Sequence, residues 1–322
     1  MAGFVDRVDR FQQRHPGLGF PLAVIYKFVG DQGGYLAALI TYYAFVSLFP
    51  LLLILTTVLG VVLEAQPHLQ QRILDSAVSQ FPVIGDQLGQ PERLSGGTVG
   101  LIVGIGGAAF GGLGVSVAVQ NAMNVAWGVP LNQRPDPFAV RVRGLIGLVV
   151  IGPLILGLIV VSRIAAAWQI GFGFAWLLIA ASVVLNAGVF ALVFKWATMR
   201  PLSLRQVAPG AIAAALAWQL LQRFGSIYVG RVVNHSSNTN GVFAVVLGLL
   251  GFLYLASFVV VLCAEINVVR IDRLYPRALL TLFTESAILT PGDRRTYTDQ
   301  AQAQRNKDFE EIEVTFDQPP EK

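Results

Sequence analysis

The chain has 322 residues, 54% of them hydrophobic and only 13% charged, with a mean hydropathy of +0.62. Soluble domains are about a quarter charged, so the composition excludes an ordinary soluble fold and points to a polytopic membrane protein. The single cysteine, Cys263, excludes an intramolecular disulfide, and a net charge of +4 gives little reason to expect nucleic acid as a partner.

In chain order, residues 1–34 form a cytoplasmic interfacial segment. It has no continuous apolar core of the secretory type. Phe4, Val5, Val8 and Phe11 make one short apolar stripe; residues 20–30 make another, which contains Lys27 and is too short to cross a bilayer. Six apolar runs of spanning length follow, at 35–63, 97–120, 142–163, 172–195, 207–230 and 241–269. The fold expected is therefore all-α, a six-helix transmembrane bundle over 35–275 with interfacial N-terminal helices. Residues 64–97 read as an outer amphipathic helix or as a short cap packed on protein, because Pro67 suits a helix start and Leu69, Ile73, Ala77 and Phe81 recur every four residues. Residues 276–322 are polar and mixed in charge and read as a mostly disordered cytoplasmic tail.

Orientation follows from the basic residues. Arg7, Arg10, Arg14 and Lys27 precede the first span. Arg134, Arg141 and Arg143 lie between the second and third, Lys195, Arg200 and Arg205 between the fourth and fifth, and Arg270, Arg273 and Arg277 after the sixth. The alternate connections hold only Arg72, Arg93, Arg163 and Arg231. Both termini are expected in the cytoplasm.

Polar groups inside apolar helices are costly, so their depth is informative. At about 1.5 Å per residue, Tyr42 and Tyr43 lie roughly 10 Å from the inner end of the first span, and Glu265 within roughly 8 Å of the inner end of the sixth. Gln120 and Asn124 fall at the inner end of the second. Pro50 removes a donor and frees the Val46 carbonyl beside Ser47. These features converge on the inner leaflet and suggest a polar vestibule open to the cytoplasm, built from Tyr43, Ser47, Glu265, Gln120 and Asn124. Interfacial tyrosines and a tolerated kink are the alternative. Glu265 reads as a coupling carboxylate, a ligand for a cationic headgroup, or the partner of Arg270 or Lys195. Arg223, on a stripe with Gln219, Gln222 and Ser226, either snorkels outward or meets an anion such as a lipid phosphate. Asn186 and Gln219 sit at mid-depth on adjacent spans and are expected to hydrogen-bond to each other, with a substrate contact as the alternative. Gly100, Gly104, Ala108, Gly112 and Ser116 form a small-residue ridge for close helix packing, with the third span as partner.

No phosphate-cradling loop, metal-ligand cluster or nucleophile elbow occurs, so no enzyme, cofactor or metal is expected. The partners expected are membrane lipids and a lipid or ion substrate, with a homo-oligomer left open.

The run from Tyr42 to Leu51 (YYAFVSLFPL), Ala126-Trp127 ahead of Arg141 and Arg143, Pro209-Gly210 followed by Trp218, and the stretch from Leu262 to Asn267 occur in that order. Together they resemble the YihY/virulence factor BrkB family of bacterial inner-membrane proteins. The resemblance implies a six-span protein of the bacterial inner membrane. Some members carry an old ribonuclease label, which this sequence does not support, having no residues to hold metals at a phosphodiester. The function expected is a secondary transporter or lipid flippase, with a non-transporting scaffold or envelope-integrity factor acting through the tail and outer helix as the rival.

Overall fold

The computed structural model describes residues 2–62, 97–167, 172–232, 238–279 and 288–316. The described residues are helical apart from turns and short connections, with no strand among them. In order the helices are α1 (Ala2–Arg14), α2 (Pro16–Gly30), α3 (Gly33–Val62), α4 (Gly97–Ala126), α5 (Pro137–Ala167), α6 (Phe172–Ala197), α7 (Leu204–Val232), α8 (Asn238–Ile271) and α9 (Pro291–Gln302). Helices α3 to α8 coincide with the six apolar runs and mostly outreach them, because backbone hydrogen bonding continues past the apolar stretch into polar ends. Three stretches within them, Pro137–Leu154, Ala180–Ala197 and Val246–Ile271, are long and apolar enough on their own to cross a membrane. The expected outer helix at residues 64–96 lies outside the described residues.

The stretch YYAFVSLFP places its polar and kinking residues on one face of α3. Tyr43, Ser47 and Pro50 are spaced i, i+4, i+7 and share that face. They seat against Gly114, Gly111 and Gly107 of α4, where an added Cβ at each glycine would overlap the Tyr43 ring, the Ser47 backbone and the Pro50 ring respectively. The α3–α4 contact is the most extensive in the bundle. The glycines that admit α3 are thus offset from the ridge read from the sequence. Gly112 and Ser116 of that ridge face α5 instead: the Ser116 hydroxyl donates to Gly144 O at 3.4 Å, and a Cβ on Gly112 would meet Leu148. The side chains around Gly100, Gly104 and Ala108 lie outside the described residues. Of the glycines expected to match on the third span, Gly144 takes Ser116 and Gly147 takes the Trp196 ring of α6.

Several helix ends meet at one pole of the bundle. Helix α4 stops where Gly128, at φ +59°, takes the left-handed turn that lets Val129 N–H reach back to Asn124 O. The Asn124 amide oxygen accepts from Met199 N–H just past α6, at 2.8 Å. Arg143 of α5 donates to the terminal carbonyls Trp196 O and Thr198 O of α6, as a cation at a helix C-terminus should.

The described part of the tail is folded, which corrects the expectation of disorder for residues 288–316. Thr290 and Asp293 form a reciprocal capping box with Pro291 at the first helical position, and α9 follows. The helix is then clasped by a buried ion pair. Arg277 Nε donates to Asp293, and Arg277 Nη1 donates to Thr296 at 3.0 Å. The other Asp293 oxygen accepts from Ala278 N–H and Thr290 N–H, both at 3.0 Å. Mixed charge misled the sequence reading, because these charges neutralise one another in a closed set.

Candidate functional site

A cavity of about 820 Å³ opens at the pole where α2, α3, α4, α8 and α9 meet. That volume is within the usual range for small-ligand sites. Its walls are mixed in charge. Lys27 and Asp31 come from the α2 end, Arg134 from the loop after α4, and Arg200 and Asp272 from the ends flanking α6 and α8; Asp299 comes from α9. Arg200 and Asp272 form a bidentate pair, with both nitrogen–oxygen distances 2.8 Å, and the guanidinium lies over the Trp127 ring. The hydrogen bond it donates to Asp272 holds the Arg200 guanidinium above its ordinary pKa. Helix α9 is one wall: Gln300 donates to Asp31 at 3.2 Å, and Leu131 and Asn132 N–H donate to Ala303 O and Arg305 O.

Behind this wall sits Glu265, with no exposed surface. Its nearest cation is Lys27, at 3.7 Å, from the segment read as interfacial. Among the described residues the ion pair of Glu265 is therefore with Lys27, and not with Arg270 or Lys195. Lys27 is itself buried, donating to Asp31 and to Ala126 O at 3.0 Å. Burial works against its ammonium, but the carboxylates of Glu265 and Asp31 outweigh this and leave its pKa above the ordinary lysine value. Neither oxygen of Glu265 has a hydrogen-bond partner. On the next turn of α8, Asn267 Oδ1 accepts from Gly210 N–H at 2.7 Å, at a contact so close that a Cβ on Gly210 would overlap Cys263 O.

The sequence-derived site residues are dispersed by this geometry. Tyr43 and Ser47 are spent in the α3–α4 contact, where the Ser47 hydroxyl donates to Ala44 O at 2.9 Å. Tyr42 lies on the outer surface of α3. Gln120 is buried against α5 and donates to Val140 O at 3.2 Å, while Asn124 ties α4 to α6. None of these residues lines the cavity, nor does Glu265, which lies one residue behind it through Lys27. Arg223 is exposed on α7, away from the cavity. The expected bond between Asn186 and Gln219 is not formed. Gln219 donates across the interface to the Ser182 hydroxyl at 2.7 Å, and Asn186 to Ser182 O of its own helix at 2.8 Å. The helix pair was right and the register wrong by one turn, since depth estimates fix position only to about a turn of roughly 5 Å.

Lys27, Asp31, Arg134, Arg200, Asp272 and Asp299 were not singled out as site residues by the sequence reading. The one available signal was Lys27, a lone cation in an otherwise apolar stretch. Among the described residues no three His, Cys, Asp or Glu side chains gather as metal ligands.

Residues 24–280 match the family model described as Virulence factor BrkB. No curated protein and no solved structure matches the chain. The pieces that carried the resemblance converge in space: Ala126-Trp127, Pro209-Gly210 and the Cys263–Asn267 stretch all meet at the pole that holds the cavity.

Proposed function

The chain belongs to the Virulence factor BrkB family of membrane proteins, and from that premise we propose that it is a secondary transporter or lipid flippase whose polar cavity faces the cytoplasm. In this reading α3 to α8 all cross the bacterial inner membrane, both termini are cytoplasmic, and the substrate is a lipid or an ion. The chain acts as a carrier and not as an enzyme. The observation that carries the reading is the 820 Å³ cavity of mixed charge at the pole where the basic connections gather. A charged hollow with a buried carboxylate just behind its wall suits one face of an alternating-access site. The glycine-lined α3–α4 contact supports it, because a smooth seam lets two helices slide as a unit.

Reconstituted protein in lipid vesicles tests this. Flux of labelled lipid or of cations is expected for the native chain. Leu131→Trp and Gln304→Trp, which fill the cavity from two walls, are expected to abolish it. Native-level flux in both variants would remove the cavity from the pathway. Orientation is read by placing a cysteine at Gln304 in a Cys263→Ala background and labelling intact cells with an impermeant maleimide. No labelling until the cells are opened agrees with a cytoplasmic cavity.

The rival reading, a scaffold acting through its tail, is favoured by one feature. Phe309 is 87% exposed on a polar segment of the tail. Deleting residues 290–322 does not separate the two, because Asp299, Gln300 and Ala303 are cavity wall. Phe309→Ala does: a scaffold loses its partner, and a carrier keeps its flux.

A further inference from the structure

The α2–α8 contact buries more negative than positive charge. Glu265 and Asp31 are two carboxylates, and Lys27 is the one ammonium between them. Asp299, half-buried on α9, adds a third acid within electrostatic reach of Lys27. From the partner elements, α4 presents the Ala126 carbonyl, which accepts from Lys27, and α9 presents Gln300, which donates to Asp31 at 3.2 Å; the cavity guanidinium of Arg200 is paired with Asp272, and the neighbours of Glu265 on its own helix include neutral Cys263 and Asn267. Lys27 is committed to Asp31, so Glu265 is left with an ion pair too long for a hydrogen bond and with no donor to either oxygen. A carboxylate sealed from water with no hydrogen bond is the arrangement least able to keep its charge. A single proton would leave one ammonium and one carboxylate, a neutral pair.

We infer that Glu265 is a reversible proton-binding site, filled from the cavity by way of Asp31. Asp31 lines the cavity and shares the Lys27 ammonium with Glu265, which places the two carboxylates on either side of one nitrogen. A proton from cavity water adds to the Asp31 carboxylate. It then passes to Glu265, so that one O–H bond breaks at Asp31 and one forms at Glu265. The Lys27 ammonium keeps its own protons throughout and leans toward whichever carboxylate is ionised. No other reactant is needed. Its link to transport rests on the cavity being the substrate vestibule, and in that case the flux is proton-coupled. The proton site itself does not depend on that reading.

Infrared difference spectra of the full chain in lipid, recorded between acidic and alkaline pH, test the site directly. The native protein is expected to show the carbonyl stretch of a buried carboxylic acid that appears and disappears with pH. Glu265→Gln is expected to lose that band, and Glu313→Gln, on an exposed part of the tail, to keep it. If Glu265→Gln does not fold, the double variant Lys27→Met with Glu265→Gln removes both charges together and takes its place. An unchanged band in the Glu265 variant, or no pH-dependent buried-acid band in the native protein, overturns the proposal. A second measurement follows vesicle acidification under a pH gradient. Proton uptake that vanishes with Glu265→Gln supports coupling. A band without any flux leaves the proton site standing and counts against the vestibule reading.

Discussion

Two buried ion pairs lie close together at the same pole and are built in opposite ways. Around Arg277 and Asp293, each polar group has a partner. Asp293 accepts from Arg277, Ala278, Thr290 and the Thr290 hydroxyl, and the Arg277 guanidinium faces the rings of Tyr26 and Tyr297. Around Lys27 and Glu265, the cation donates two hydrogen bonds, to Asp31 and Ala126 O, while the anion has only the long ion pair and accepts none. Removing one partner of a satisfied buried pair typically costs about 3–5 kcal/mol, whereas a poorly compensated pair contributes little net stability and its removal is often neutral. The first cluster therefore holds the tail in place. The second is a standing imbalance that contributes little to stability.

The largest effect is expected where the satisfied cluster is broken. Asp293→Asn should destabilise by about 3–5 kcal/mol and release α9, seen as a drop in unfolding temperature and rapid proteolysis near residue 290. Glu265→Gln should change stability by less than about 1 kcal/mol, in either direction. Lys27→Met should be severe alone, because it strands two carboxylates, and largely rescued when combined with Glu265→Gln.

Next in size come the close helix contacts. Gly210→Ala forces a methyl group into Cys263 O and Asn267, and Gly111→Ala forces one into the Ser47 backbone. Each should cost about 1–3 kcal/mol in thermal unfolding, as overpacking does. Gln219→Leu loses the bond to Ser182 across α6 and α7, worth about 0.6 kcal/mol on average for such interhelical bonds, and should hardly move the transition.

The smallest effect is electrostatic. Burial holds the Asp299 carboxyl above the usual range, with Asp272 adding to this and Lys27, Arg200 and Arg295 opposing it. An acid whose folded pKa is raised stabilises the fold below its unfolded value, and that contribution fades as pH rises through the folded one. Tail docking should be slightly firmer at pH 5 than at pH 7. Asp299→Asn should flatten that difference in a proteolysis assay.

Helices α3 to α8 were legible in the sequence because each is written locally, as a long apolar run. The same holds for the gathering of basic residues at one pole. What was not legible depends on distant pairs. Lys27 was read as interfacial because nothing near it in the chain shows Glu265. The tail was read as disordered because its composition is polar, although Thr290, Pro291 and Asp293 carried a local helix-start signal. Tyr43 and Ser47 were placed in a vestibule from their depth alone; which neighbour a helix face meets is decided by the glycines of α4, and depth cannot report it. Gln120 and Asn124 were read as vestibule residues for the same reason; in the structure they tie α4 to α5 and α6.

Unfolding of Glu265→Gln beside Asp293→Asn, in the same lipid and at the same pH, tests the contrast most directly. The Asp293 variant is expected to melt several degrees below the native protein while the Glu265 variant melts with it or above it. Equal losses in the two variants would show that the Lys27–Glu265 pair holds the fold together as the Arg277–Asp293 pair does, and would overturn the contrast between them.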